Sequence, residues 1–522
     1  MKAYFTVLLI FCTSLFFAQH KVFQNTVNEN SLSTDQKISK ELSASYSLTN
    51  YYVQPAFNLQ SDLQITLPSN KQIIAKYNRT YTYSNGAESY VYDIENAPNA
   101  ELVLSKYDNI VTGMYASGTE KVMFHQTSGD VFALSVVSNE KMISQDSKND
   151  YILDTSILNT SAGLNTSAGN SNKVNADICS ASTPVCSTTR IDVLVVYTTA
   201  ARTVWGGVSQ SNGFIATAIT NFNTSLVNSG VSNTTINLVY SGEISYVESG
   251  NISTDLTRFR TNGDSFLDDV HTLRTTYGAD VCSLVTSTPT NTCGLGYVNT
   301  NPTNYTNTAG FSVCIYNCAV SNYSLAHEMG HNMGLKHDWY VDTTSTPCSH
   351  HHGYTNQTAI TLGTSSTPSQ RWRTIMAYND ECSDSGFNCT RINRWANPNV
   401  NYNTEPTGRA IGNTNPSDEA FGFLRFACVV SNFMPEANLA TAEISTKSKE
   451  FTLYPNPAKE IIHVLIDDNR KYSFKVINSL GQVVLKTSDK SIHLKGLASG
   501  EYFLSVYDEK NTLIGNKKFI VQ

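Results

Sequence analysis

The sequence predicts three successive units: a β-rich segment, a central α/β domain with a mixed, mostly parallel sheet and one site-bearing helix, and a small all-β sandwich. Three observations carry this. Strand-like and helical patterns alternate from about residue 190 to residue 285, which is the signature of an α/β sheet. Beyond Cys12, all ten remaining cysteines fall between Cys179 and Cys428. From Ser445 onward, 12 Lys+Arg face 8 Asp+Glu, so this tail is +4 and the remainder −11 in a chain of net charge −7. At roughly 100–200 residues per domain, a 522-residue chain also needs several cores.

Residues 1–19 contain Lys2, an apolar run from Phe5 to Ala18 and no acidic residue. They read as a secretory signal peptide too short for a comfortable membrane span. Residues 20–175 lack cysteine and alternate apolar and polar residues, as in Leu63–Leu67 and Ala87–Asp93, the pattern of half-buried strands. This region ends in a tandem Leu-Asn-Thr-Ser-Ala-Gly at 158–163 and 164–169. So small and polar a repeat cannot bury a core and reads as a protease-accessible linker.

The central domain is placed at 176–436. It opens with the apolar run Ile191–Tyr197, a buried strand, followed by a helical pattern over Phe214–Phe222 and Leu226. A strand at Ile236–Tyr240 comes next, then a helix over about Ser265–Tyr277 with Phe266, Val270 and Leu273 on one face. The strand Val281–Val285 and two short runs, Gly294–Val298 and Phe311–Ile315, complete the pattern. The even cysteine number reads as a disulfide-stapled domain from an oxidising compartment. Cys179/Cys186, Cys314/Cys318 and Cys382/Cys389 are near enough for local bridges, and the pairing stays open. A Thr/Ser/Lys-rich linker is placed at 437–449, before the strand-and-turn pattern of 450–522. Aromatic residues at 10% and hydrophobic residues at 40% suit folded domains, and the acidic balance offers no footprint for nucleic acid.

The chemistry concentrates in Leu325-Ala-His327-Glu328-Met-Gly-His331-Asn-Met-Gly334-Leu-Lys-His337-Asp338. Four residues on a helix turn about 400°, so His327 and His331 project from one face. Gly334 can take a positive φ, end the helix and return the chain so that His337 becomes a third donor. Three histidines leave one zinc position open, the catalytic arrangement. Glu328 is offset from both ligands and suits a general base acting on the attacking water. The tract His350-His351-His352 beside Cys348 reads as a stapled loop rather than a second metal site. No calcium-loop motif occurs.

This H-E-x-x-H-x-x-G-x-x-H-D string resembles the metzincin zinc metalloproteases, in the reprolysin-like version that carries Asp338. Residues 190–433 are most similar to the bacterial peptidyl-Asp metallopeptidases. That similarity rests on Ile191–Arg202, Tyr277-Gly-Ala-Asp280, the histidine string, Trp372-Arg-Thr-Ile-Met-Ala-Tyr378 and Arg391-Ile-Asn-Arg-Trp-Ala-Asn-Pro398. The resemblance implies a metzincin fold and one catalytic Zn2+ held by His327, His331 and His337. It implies a methionine turn with Met376 beneath the metal, Tyr378 close enough to assist the reaction, and Asp338 bonding locally without ligating. The expected activity is endopeptidase hydrolysis with a zinc-activated water, and cleavage before acidic residues if the resemblance reaches substrate choice. Arg391 and Arg394 are the candidate pocket cations.

In position, residues 20–175 resemble a propeptide. Their lack of cysteine excludes a thiolate plug, and Asp130 in Thr127-Ser-Gly-Asp130 is the candidate aspartate in its place. Phe451-Thr-Leu-Tyr-Pro455-Asn456-Pro457, Leu480-Gly481-Gln and Leu497-Ala-Ser-Gly500 resemble the C-terminal sorting domain of type IX secretion. This implies export across the outer membrane, to the medium or the cell surface, with that secretion machinery as partner. The competing reading is a secreted adhesin that keeps the zinc fold without catalysis; the intact Glu328 speaks against it.

Overall fold

The computed structural model describes residues 20–118, 120–145, 149–153, 177–289, 291–437, 451–466, 471–478, 483–507 and 513–522. The expected leader, the tandem repeat, nearly all of the second linker and Leu480-Gly481 lie outside the described residues. Two compact units emerge, Met1–Ala437 and Asn438–Gln522.

The first unit starts with a ten-stranded sheet. Its middle is a meander of Leu63–Thr66, Gln72–Thr82, Glu88–Ile94, Glu101–Tyr107, Ile110–Ala116, Lys121–Ser128 and Val131–Val137, extended by Tyr46–Val53. Tight turns make consecutive strands antiparallel. Asp108 and Asn109, both at positive φ, form the two-residue link between Tyr107 and Ile110, and that twist suits a hairpin. One face buries Phe23, Leu63, Tyr92, Leu104, Phe124 and Leu134.

The other face packs on the helix Val208–Asn228, which is why 17 of its 21 residues are buried. Behind this helix lies a six-stranded sheet in the order Tyr151–Leu153, Gly294–Val298, Phe311–Ile315, Val281–Thr286, Thr189–Thr198, Thr234–Ile244. Every neighbouring pair is parallel except Gly294–Val298 with Phe311–Ile315. Covered on both faces, the strands read as continuous apolar runs. The outermost strand, Tyr151–Leu153, comes from the N-terminal region.

Two local expectations change. The helix expected from Ser265 begins at Asp269, because the Asp268 carboxylate accepts from the Gly263 and Ser265 N–H groups and holds a turn there. Phe266 stays half exposed, with the Arg258 guanidinium 3.6 Å over its ring. A further helix, Ile252–Arg260, starts at Asn251, whose side chain accepts from the Thr254 N–H. Its inward face is Leu256 and Phe259 with the buried Asp255 carboxylate and a partly buried Ile252, and so short and interrupted an apolar stripe carries little periodic signal.

Four disulfides join Cys179–Cys348, Cys186–Cys428, Cys293–Cys318 and Cys382–Cys389. Of the three local pairs considered, only Cys382/Cys389 forms. Cys282 and Cys314 are buried free thiols, since both lie in interior strands of the six-stranded sheet.

The second unit has one sheet of Phe451–Tyr454, Ile461–Ile466 and Ser491–His493 and another of Val483–Thr487, Ser473–Asn478, Gly500–Tyr507 and Leu513–Val521. Phe451, Ile462, Val464, Phe474, Val476, Leu504, Val506 and Phe519 form its core. The period-2 burial of Ile461–Ile466 is that of a strand with one face inward.

Candidate metal centre

The helix Ser324–Asn332 is buried along its whole length. Gly330 lets it sit close to the chain beneath: a Cβ there would lie 2.9 Å from the Met376 Sδ and 3.2 Å from Trp395. Met376, fully buried, therefore packs under the helix. Gly334 has φ +87°, and a Cβ there would also strike the Tyr305 hydroxyl, so the chain turns as the sequence required. His337 is carried back toward the helix, with His352 Nδ1 2.6 Å from its carbonyl oxygen.

His327 Nδ1 lies 2.9 Å from the Ile375 carbonyl and His331 Nδ1 2.9 Å from that of Leu335. A carbonyl only accepts, so both rings carry their proton on Nδ1 and present a lone pair at Nε2. His337 Nε2 is 3.1 Å from His331 Nε2. Burial pushes the His327 imidazole below its ordinary value and that of His331 down to about 3, favouring neutral rings.

The fourth group is Asp150, from the N-terminal region. Its carboxylate lies 2.7 Å from His337 Nε2, 3.2 Å from His327 Nε2 and 3.4 Å from His331 Nε2. The four ligand atoms all lie within 4.8 Å of one another. Lone pairs and a carboxylate, buried and mutually facing, repel unless a cation lies among them. Zinc at roughly 2.0–2.1 Å from each ligand sets tetrahedral ligand–ligand separations near 3.3 Å, the scale seen here. The residues fit Zn2+.

Asp150 corrects the choice of Asp130. Asp130 is exposed, and its backbone carbonyl accepts from the Gln54 N–H at the rim of the ten-stranded sheet. The two aspartates are indistinguishable by type; only the chain path brings Asp150 to the histidines.

Glu328 is buried beside the edge strand Gly294–Val298 and is not one of the four clustered ligands. A Cβ on Gly294 would lie 2.3 Å from its Oε1 and one on Gly296 3.5 Å from its Oε2. These two glycines hollow the strand for the carboxylate. Tyr378 places its ring 4.5 Å from that of His337 and donates its hydroxyl to the Asp150 carboxylate. Asp338, pushed up to about 6 by burial, accepts from the Tyr378 N–H at 2.8 Å and the Tyr340 N–H at 3.1 Å. It ties the third histidine to the segment after Met376.

Arg391 is buried, 5.8 Å from the Tyr378 ring centre, and donates to the carbonyls of Asn322 and Ala377. Arg373, which pairs with Arg391 across a two-strand ribbon, also donates to the Ala377 carbonyl. Arg373 is not among the residues singled out from the sequence, although it lies within the Trp372–Tyr378 string. Arg394 points elsewhere, donating to Asn99 and lying over the Tyr402 ring. Cys348 is bonded to Cys179, so the adjoining histidines have no thiolate partner there. His351 Nδ1 lies 3.1 Å from the Gly334 carbonyl. The tract buttresses the return to His337.

Residues 187–393 match the family described as Metallo-peptidase family M12, and residues 452–522 match the secretion system C-terminal sorting domain. A peptidyl-Asp metalloendopeptidase of Stenotrophomonas maltophilia (strain R551-3) is 38% identical over 242 residues, 46% of this chain and 52% of that protein. One of Pseudomonas fragi is 32% identical over 191 residues, 36% of this chain and 94% of that protein. The chain thus spans about half the length of the Stenotrophomonas relative and nearly all of the Pseudomonas one. Among solved structures, metalloproteinase-II from Bacteroides fragilis aligns with TM-score 0.34 and 13% identity, over 58% of this chain and 88% of that one.

Proposed function

The chain belongs to metallo-peptidase family M12, alongside the peptidyl-Asp metalloendopeptidases, and from that premise we propose that it is a secreted zinc endopeptidase made as a latent precursor. The observation that carries the reading is the convergence of His327, His331 and His337 with Glu328 beside them. Bound zinc supplies Lewis-acid polarisation of the scissile carbonyl and acidifies a water toward a pKa of ~7.

The chain's own groups do the rest. His327, His331 and His337 hold the metal, two of them oriented through Nδ1. Glu328 takes a proton from the attacking water and hands it to the leaving amine, which general acid–base catalysis rewards by roughly 10²–10⁴-fold. The Tyr378 hydroxyl, engaged here by Asp150, is released to donate to the reacting carbonyl oxygen once Asp150 leaves. Met376 packs beneath, in a metzincin arrangement. The substrate lies extended along Gly294–Val298, whose edge adds backbone hydrogen bonds.

Residues 20–175 serve as the propeptide. Asp150 takes the metal position that substrate needs, and Tyr151–Leu153 takes the edge strand. The contact between the N-terminal sheet and the rest is mixed: Ala87, Met114, Met123 and Ala133 share one buried apolar cluster with Phe214, Ile215 and Ala218, and hydrogen bonds run through it. Tyr83 bonds Thr220, Thr217 bonds Ser105, Gln210 bonds the Thr127 carbonyl, and Glu101 accepts from Asn228 and Asn393. All four disulfides lie within 179–428, so one cut in the linker frees the N-terminal region.

For bond choice, we propose cleavage before acidic residues, with Arg391 and Arg373 as the cationic side of the pocket, because guanidinium groups suit carboxylate geometry. Arg394 faces the propeptide. The C-terminal domain directs the chain to type IX secretion. Glu328→Gln tests the central reading: zinc measured by atomic emission stays near one per chain while casein hydrolysis falls at least 100-fold. Retained hydrolysis would refute the role of Glu328.

A further inference from the structure

The residue after Asp150 occupies a site built almost wholly from the catalytic domain. The Tyr151 ring lies 5.1 Å from the His331 ring and 5.3 Å from that of His337. The Lys336 Nζ stands 4.0 Å over its centre, and its hydroxyl donates to Asp342 Oδ2 at 2.8 Å. The backbone is fixed by the parallel pairing of Tyr151 with Gly296 on the edge strand.

The walls of this pocket are also held by hydrogen bonds within the catalytic domain. The Lys336 N–H donates to the His351 carbonyl at 2.7 Å, and the Lys336 carbonyl accepts from the Gly353 N–H at 3.0 Å. Lys336 is fully buried, its Nζ has no hydrogen bond, and its ion pair to Asp342 is long, 3.8 Å. Asp342 Oδ1 accepts from the Thr344 N–H and hydroxyl, at 3.0 and 2.6 Å, which leaves Oδ2 aimed at the phenol. A cation over a ring face and a carboxylate at the hydroxyl together match one side chain, tyrosine.

We propose that this pocket is a substrate subsite for tyrosine on the amino-terminal side of the scissile bond, opposite the acidic residue proposed above, which Tyr151 fills only while the chain is latent. This rests on the peptidase reading above. Asp150 holds the place where the scissile carbonyl must come, so the next residue along the edge strand marks the adjoining side-chain position. A site that hydrogen-bonds a substrate hydroxyl penalises the analogue lacking it. Tyrosine is therefore favoured over phenylalanine by tenfold or more, about the effect of one hydrogen bond to a charged group.

The test uses the protease after release of the N-terminal region. Its cleavage sites in a proteome-derived peptide library are mapped by mass spectrometry, and kcat/KM is measured on paired peptides with Tyr or Phe at the enriched position. Tyrosine enrichment at one fixed position before the cut, with a Tyr:Phe ratio of about ten or more, is expected. Asp342→Ala should bring that ratio to about one, and Lys336→Met should reduce the preference for aromatic over leucine side chains. Both variants are read as ratios within one preparation, and the wild-type comparison needs no variant. Casein cleavage without tyrosine enrichment, or an unchanged ratio in Asp342→Ala, overturns the subsite alone. Absence of casein cleavage by zinc-loaded protein overturns the peptidase reading and the subsite with it.

Discussion

Gly294→Ala is a single added methyl group that should disable the enzyme without touching the metal. The new Cβ would stand 2.3 Å from Glu328 Oε1, 2.5 Å from its Cδ and 2.6 Å from its Cγ. Every one of these is well inside van der Waals contact, and Cγ is not the loose end of a side chain. The strand cannot yield, because Gly294 pairs with Cys314 and the neighbouring Cys293 is bonded to Cys318. Glu328, with 1% of its surface exposed, has nowhere to swing. Either the carboxylate leaves its station or the helix shifts. Overpacking of this kind costs about 1–3 kcal/mol of stability, which a domain with four disulfides tolerates. Displacing a general base costs roughly 10²–10⁴ in rate, and one misplaced by an ångström loses about 100-fold. The variant should therefore fold, keep one zinc per chain and lose at least 100-fold in kcat on a quenched peptide. Retention of more than a third of the wild-type kcat would refute the claim that this glycine seats the base.

Asp150→Ala should unlatch the precursor. The uncut chain, assayed before linker cleavage, should gain tenfold or more peptidase activity, about the worth of a lost charge-assisted contact, while Asp130→Ala should change nothing. Buried His125 of the N-terminal sheet lies edge-on to Phe214, with ring centres 5.0 Å apart, and burial lowers it to about 4. The docked state thus prefers the neutral ring. Docking strength is fully present above pH 6.5 and falls as pH drops toward 4, by on the order of 3 kcal/mol. Titrating release of the cut N-terminal region by size-exclusion chromatography should show this fall, and His125→Phe should flatten it.

Much of the site was legible because its chemistry is local. His327 and His331 share a face through helical geometry alone. Gly334 marks the turn to His337, and Glu328 is identified by not fitting that face. The runs Gly294–Val298 and Phe311–Ile315 announced themselves as strands, since period and apolarity are properties of a few adjacent residues. The helix Ile252–Arg260 escaped because its buried face is short and interrupted by the buried Asp255, which makes too faint a stripe.

What only the tertiary structure decided were relations between distant positions. Asp150 and Asp130 differ by no property a sequence displays, yet one reaches three imidazoles across some 180 residues and the other stays at a sheet rim. The hollow at Gly294 has meaning only once Glu328 lies against it, and Cys318 pairs with Cys293 rather than with Cys314 because the chain path brings those two sulfurs together. Such contacts arise from how long segments pack, and loop closure erases any trace of them from the local pattern.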